Sequence, residues 1–219
     1  MNHQTWIQAA QWLSEQEIAI QPILTLSDAP DEVLQAALLQ APASVLAASA
    51  AAVVGCGISD ARSVFLSASA PEEELRAAHG HCRYLAETPE EIRKLDALTG
   101  PFLQEGYLED IAIRVWPNGG GAFTAENIPE FARLIRRTDN LAVRTLFLPF
   151  DQSHNLSRQA KDAFSLVKNI RSDMPCMLHA FCFEGLLAPL TQGNSELLHT
   201  LRMLASLNDT SLYAAFFIS

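Results

Sequence analysis

The chain has 219 residues, 49% hydrophobic and 18% charged, a balance that excludes a disordered polymer and suits one large or two small globular domains. Its 25 acidic against 15 basic side chains give a formal net charge of −10, which opposes nucleic acid and anionic membranes as main partners. Cys56, Cys82, Cys176 and Cys182 form no CxxC pair and are read as buried, reduced thiols of a cytoplasmic protein.

The opening stretch MNHQTWIQAAQWL has neither a basic start nor a long apolar run, so no signal peptide is expected. Trp6, Ile7, Ala9, Ala10, Trp12 and Leu13 give residues 3–17 the apolar stripe of a helix, which would close the base of a following domain, pack beside its first strand or present a partner surface. The Ala-rich run 41–54 is broken by Pro42 and serines and is too short to span a bilayer.

From residue 22 the pattern alternates short apolar runs with amphipathic segments. Strands are predicted at 23–26, 45–48, 64–67, 83–86, 111–115, 143–148, 176–181 and 212–218. Most are nearly continuous apolar runs, as parallel strands covered on both faces require. The helices between them have legible starts: Pro30-Asp31-Glu32, Pro71-Glu72-Glu73 and Pro89-Glu90-Glu91 each set a proline before two acids. Thr88 and Glu91 add a capping box. Further on, Leu156, Ala160, Ala163, Val167 and Ile170 share one helical face, and Leu197, Leu198, Leu201, Leu204 and Ala205 share another. Eight strands with intervening helices predict a compact (β/α)8 barrel over 22–219, preceded by the helical segment 1–21; an open doubly wound sheet has the same strand count.

Three stretches resemble the barrel domain of the fold-type III pyridoxal-phosphate enzymes, the ornithine, diaminopimelate and arginine decarboxylases and alanine racemase. They are VLAASAAAVVGCGISDARSVFLSASAPEEELRAA (45–78), RYLAETPEEIRKLDAL (83–98) and IAIRVWPNGGGAFTAENIPEFARLI (111–135). The resemblance implies an alanine racemase-like barrel, a pyridoxal-phosphate coenzyme on a first-strand lysine, a glycine-rich phosphate loop after strand seven and a β-domain beyond strand eight. This chain departs from each of the chemical elements. The first strand reads Ile23-Leu24-Thr25-Leu26-Ser27, and the chain's lysines are Lys94, Lys161 and Lys168, all in predicted helices. The family's H-x-G-S after strand six is matched by Leu148-Pro149-Phe150-Asp151, its phosphate loop by Phe181-Cys182-Phe183-Glu184-Gly185, and its E-P-G-R by Tyr213-Ala214-Ala215-Phe216. An aldimine needs a primary amine, and a phosphate cradle needs small residues without negative charge. The coenzyme is therefore not expected, and the chain ends at the predicted eighth strand.

In a barrel, chemistry belongs at the C-terminal strand ends. The side chains falling there are Asp28, Glu87, Asp151, His154 and Glu184, a set suited to a cation or a hard metal, although acids at helix starts also cap them. Arg114 on strand five is read as an internal ion-pair partner or an anion ligand, and His179 on strand seven as a buried hydrogen-bonded histidine or a base. His79 and His81 sit near a helix end, where a helix-terminus role suffices. Gly119-Gly120-Gly121 fits neither GxGxxG nor a Walker loop and is read as a βα turn. Asp151, Ser153 and His154 lie too close in sequence for a hydrolase triad, and no nucleophile elbow is present. Two functions remain open: a catalytically degenerate decarboxylase-like subunit that binds an amino-acid-like ligand or a protein partner, itself included, or an enzyme with a rebuilt acidic, metal-assisted mouth. A third is the barrel half of a split decarboxylase.

Overall fold

The computed structural model describes residues 8, 11, 12, 15, 20–40, 44–104, 106–117, 119–173, 178, 180–208 and 215–218. Eight strands alternate with helices along them: β1 (Ile20–Leu26), α1 (Glu32–Gln40), β2 (Ser44–Ala47), α2 (Ala50–Gly55), β3 (Val64–Ser67), α3 (Glu72–Ala78), β4 (Arg83–Ala86) and α4 (Pro89–Thr99) form the first half. The second half is β5 (Glu109–Arg114), α5 (Ile128–Ile135), β6 (Leu141–Pro149), α6 (Leu156–Asp173), β7 (Ala180–Glu184), α7 (Leu187–Thr191), α8 (Ser195–Asn208) and β8 (Ala215–Ile218). Each strand pairs in parallel with its sequence neighbour, and β8 pairs with β1 through Ile20↔Phe216. The strands follow one another in order around one curled parallel sheet, with β8 beside β1.

The strands at 64–67 and 83–86 lie where the apolar runs place them. The others extend or shift: β5 starts at Glu109, and β6 runs to Pro149. The predicted strand 176–181 becomes β7 at Ala180–Glu184, and residues 174–177 and 179 lie outside the described set. The reason is register. Cys182, Phe183 and Glu184 pair with Phe147, Leu148 and Pro149, so what the sequence offers as a loop after strand seven is mostly strand, and the turn begins at Gly185 with φ 85°.

The three proline signals resolve differently. Pro89 is the first residue of α4, and Thr88 and Glu91 close the predicted capping box. Pro71 is the residue before α3, while Pro30 stands further out, and Asp31 caps α1 by accepting the Leu34 N–H at 2.8 Å. The predicted face of α6 is buried at Ala160, Ala163, Val167 and Ile170, as is that of α8 at Leu197 and Leu201. Of the apolar stripe at the N-terminus only Trp12 is described; it is helical, as are Gln8, Gln11 and Glu15, and packs against the core, while the rest of residues 1–19 lies outside the described set.

Strand alternation sorts the interior into two cores. Residues facing the helices, among them Val45, Leu66, Tyr84, Ile113, Phe181 and Phe183, form a large layer. The opposite face carries Ile23, Phe65, Leu85, Ala112, Phe147 and Cys182, a small separate cluster that fills the space inside the sheet. Phe65 and Phe147 meet there edge to face at 5.0 Å. Cys56, Cys82 and Cys182 are buried, as their spacing suggests, while Cys176 lies outside the described residues.

Candidate functional site

The interior face continues past the cluster at the C-terminal strand ends. Counting in twos, Leu85 leads to Glu87, Ala112 to Arg114 and Cys182 to Glu184, so three charged side chains converge above the Phe65–Phe147 pair. Arg114 Nε donates to Glu184 Oε2 and Nη2 to Glu184 Oε1, both at 2.7 Å, a two-pronged contact. Its Nη1 donates to Glu87 Oε1. The guanidinium carbon stands 5.8 Å from the Phe147 ring centre and 6.0 Å from that of Trp116. Side-chain exposure is 16% for Arg114 and 19% for Glu184, against 31% for Glu87. Burial opposes the Arg114 charge, but the hydrogen bonds to Glu184 and the charges of Glu184 and Glu87 outweigh it and lift its pKa above the ordinary value. Arg114 is thus ion-paired with both Glu87 and Glu184.

The other predicted members that the structure describes do not join this cluster. Asp28 is exposed beyond β1. Asp151 and His154 form a local turn of their own: Ser153 N and Oγ donate to Asp151 Oδ1 at 2.8 and 2.7 Å, and His154 Nδ1 lies 2.8 Å from Asp151 Oδ2. Ser153 Oγ stands 3.0 Å from that same nitrogen, whereas a catalytic triad addresses opposite ring nitrogens. These bonds, led by the Ser153 hydroxyl, hold the Asp151 carboxyl below its usual range. His179 lies outside the described residues. Among the described residues no group of histidines, cysteines and acids has the arrangement to hold a metal ion.

A cleft of about 700 Å³ opens beside the cluster, walled by Trp116, Pro149, Phe150, His154, Arg158 and Asp162. Its Trp116 wall is set by the glycine triplet. Gly119 and Gly120 adopt φ of 84° and 98°, and a Cβ on Gly121 would fall 2.0 Å from the Trp116 ring. Neither Trp116 nor this cleft is marked in the sequence, because nothing local distinguishes that tryptophan; the clue is the run of glycines just after it.

None of the three lysines bonds to the Glu87–Arg114–Glu184 cluster. Lys94 Nζ donates to the Ala68 and Ala70 carbonyls at 3.0 and 2.6 Å, and Lys161 and Lys168 are exposed on α6. Thr25 occupies the interior-side position of β1 two residues after Ile23.

Neither sequence-family models nor curated proteins give a match to this chain. Solved structures do. The chain is similar to ornithine decarboxylase of Entamoeba histolytica, with a TM-score of 0.73 at 13% identity, 97% of this chain and 61% of that one being covered. For the arginine decarboxylase of Paramecium bursaria Chlorella virus the TM-score is 0.74 at 12% identity, with the same coverage. For the diaminopimelate decarboxylase of Helicobacter pylori it is 0.66 at 11% identity, covering all of this chain and 61% of the other. The likeness establishes a shared α/β fold, a curled parallel sheet with helices, and the chain spans about three fifths of the length of these structures.

Proposed function

We propose that the described fold is a complete (β/α)8 barrel of the alanine racemase type. On this reading it serves as a cytoplasmic, catalytically degenerate relative of the decarboxylases that binds a small amino-acid-like ligand or a protein partner. The observation that carries it is the Glu87–Arg114–Glu184 cluster on the interior face of the mouth. Pyridoxal phosphate, the coenzyme implied by the sequence resemblance, does not fit the side chains there. The β1 position carries Thr25, which has no amine, and Lys94 is committed to two carbonyls of another loop. Glu184, at the end of β7 where that family cradles phosphate, holds a carboxylate and follows bulky Phe183.

The 700 Å³ cleft is large enough for an amino-acid-sized molecule, and it mixes an aromatic wall with Arg158, Asp162 and His154, groups that can orient one. A metal-assisted acidic mouth is less favoured, because Glu87 and Glu184 already neutralise Arg114 and Asp28 and Asp151 stand apart. The test is calorimetric titration with a panel of amino acids and diamines in coenzyme-free buffer, with and without Trp116→Ala. Saturable binding lost in the variant supports the reading. Turnover of any of these compounds by the pure chain sinks it.

A further inference from the structure

A second concavity lies on the outside of the barrel, between α4 and α5. It consists of two adjoining hollows of about 350 and 410 Å³. The residues common to both are Arg93, Leu134 and Arg137, so two arginines line the junction. Arg93 projects from α4 and Arg137 follows α5, and both are exposed. Arg93 shares one bond of 3.2 Å with Glu90, in a pair whose side chains are 62% and 77% exposed, an arrangement that contributes little and opens readily. The groove's own acids stand to either side of the junction: Glu130 lines only the first hollow and Asp96 only the second, where Asp96 Oδ1 is engaged by the Asn140 N–H at 2.9 Å. Beyond the junction the first hollow carries Phe123 and Phe131, whose ring centres lie 4.3 Å apart with planes tilted by 49°, together with Asn127 and Arg133.

The geometry points to a binding site for an organic phosphate, its phosphoryl group between Arg93 and Arg137 and its apolar body on Phe123, Phe131 and Leu134. A carboxylate is satisfied by one guanidinium fork. A phosphate dianion has three terminal oxygens and takes donors from two forks, and its charge matches the two cations at the junction. The chain as a whole carries −10, so an anion that settles here does so against the overall field. The attraction is therefore local, which makes it separable by mutation.

The experiment is calorimetric titration of phenyl phosphate at low salt, with inorganic phosphate and benzoate as separate arms. The expected result is saturable one-site binding, tighter for phenyl phosphate than for either fragment. Arg93→Gln and Arg137→Gln should each weaken it by about tenfold or more, the loss expected for one charge-assisted contact. Both side chains are exposed, and matched melting curves confirm that the variants fold. Arg158→Gln, in the other cleft, should leave binding unchanged. The proposal is overturned if phenyl phosphate shows no saturable binding, if it binds no tighter than inorganic phosphate or benzoate, or if Arg158→Gln weakens it as much as the groove variants do.

Discussion

Removing the Glu184 carboxylate tests the ion-pair cluster most sharply. Glu184→Gln keeps the volume but takes away the partner that meets Arg114 at 2.7 Å through two nitrogens. With the charge centres of such a forked pair about 4 Å apart, a Coulomb attraction of roughly 4 kcal/mol applies for an effective dielectric near 20. Arg114 keeps Glu87, and both members of the lost pair retain some access to water, at 16% and 19% exposure. The net loss should then be about 2–3 kcal/mol, below the range for fully buried pairs. For a chain of this length that lowers Tm by roughly 5–10 °C, read by calorimetry or circular dichroism. Glu87→Gln, at the more exposed partner, should cost less. A Glu184→Gln variant melting within about 1 °C of the parent would rule this out, since the cluster would then be an exposed pair of no consequence.

Other outcomes follow from the same structure. Burial, with the Asp110 charge behind it, pushes Glu109 up to about 7 despite the opposing effect of Arg83. A carboxyl raised in the folded state gives stability that is full below its ordinary value near 4.5 and is lost as pH rises towards 7. Glu109→Gln should accordingly gain about 1–2 kcal/mol on the parent between pH 4.5 and pH 8 in urea melts, a figure reduced for partial exposure; equal differences at both pH values would contradict this. Phe147→Ala removes half of the interior Phe65–Phe147 pair and should cost about 3–5 kcal/mol by denaturant unfolding. Gly121→Ala drives a methyl group against the Trp116 ring and should shift tryptophan emission while costing about 1–3 kcal/mol.

Much of the fold is legible because each buried strand is a short apolar run between turn residues, and the capping box at Thr88 announces α4 without tertiary help. Strand seven slips because Phe183 and Glu184 read as loop chemistry, whereas pairing with β6 keeps them in the sheet. The site is half visible. Arg114, Glu87 and Glu184 can each be placed at strand ends, but their convergence depends on three separate strands, β4, β5 and β7, presenting the same parity to one interior. Position alone groups Asp151 and His154 with them; the local Asp151–Ser153 turn holds them apart. The Arg83–Asp110–Arg144 network leaves no trace in the sequence at all. Its Arg144 is skipped by the register shift between β5 and β6, an irregularity with no local signature of its own.

What the barrel mouth can hold is decided by intact-mass spectrometry after incubation with pyridoxal phosphate and borohydride reduction. An unmodified chain is the predicted outcome when free coenzyme is dialysed away before the reductant is added. A stoichiometric phosphopyridoxyl adduct mapped to Lys94, Lys161 or Lys168 would contradict it, because one of these amines would have to leave its present place and reach the interior of the barrel.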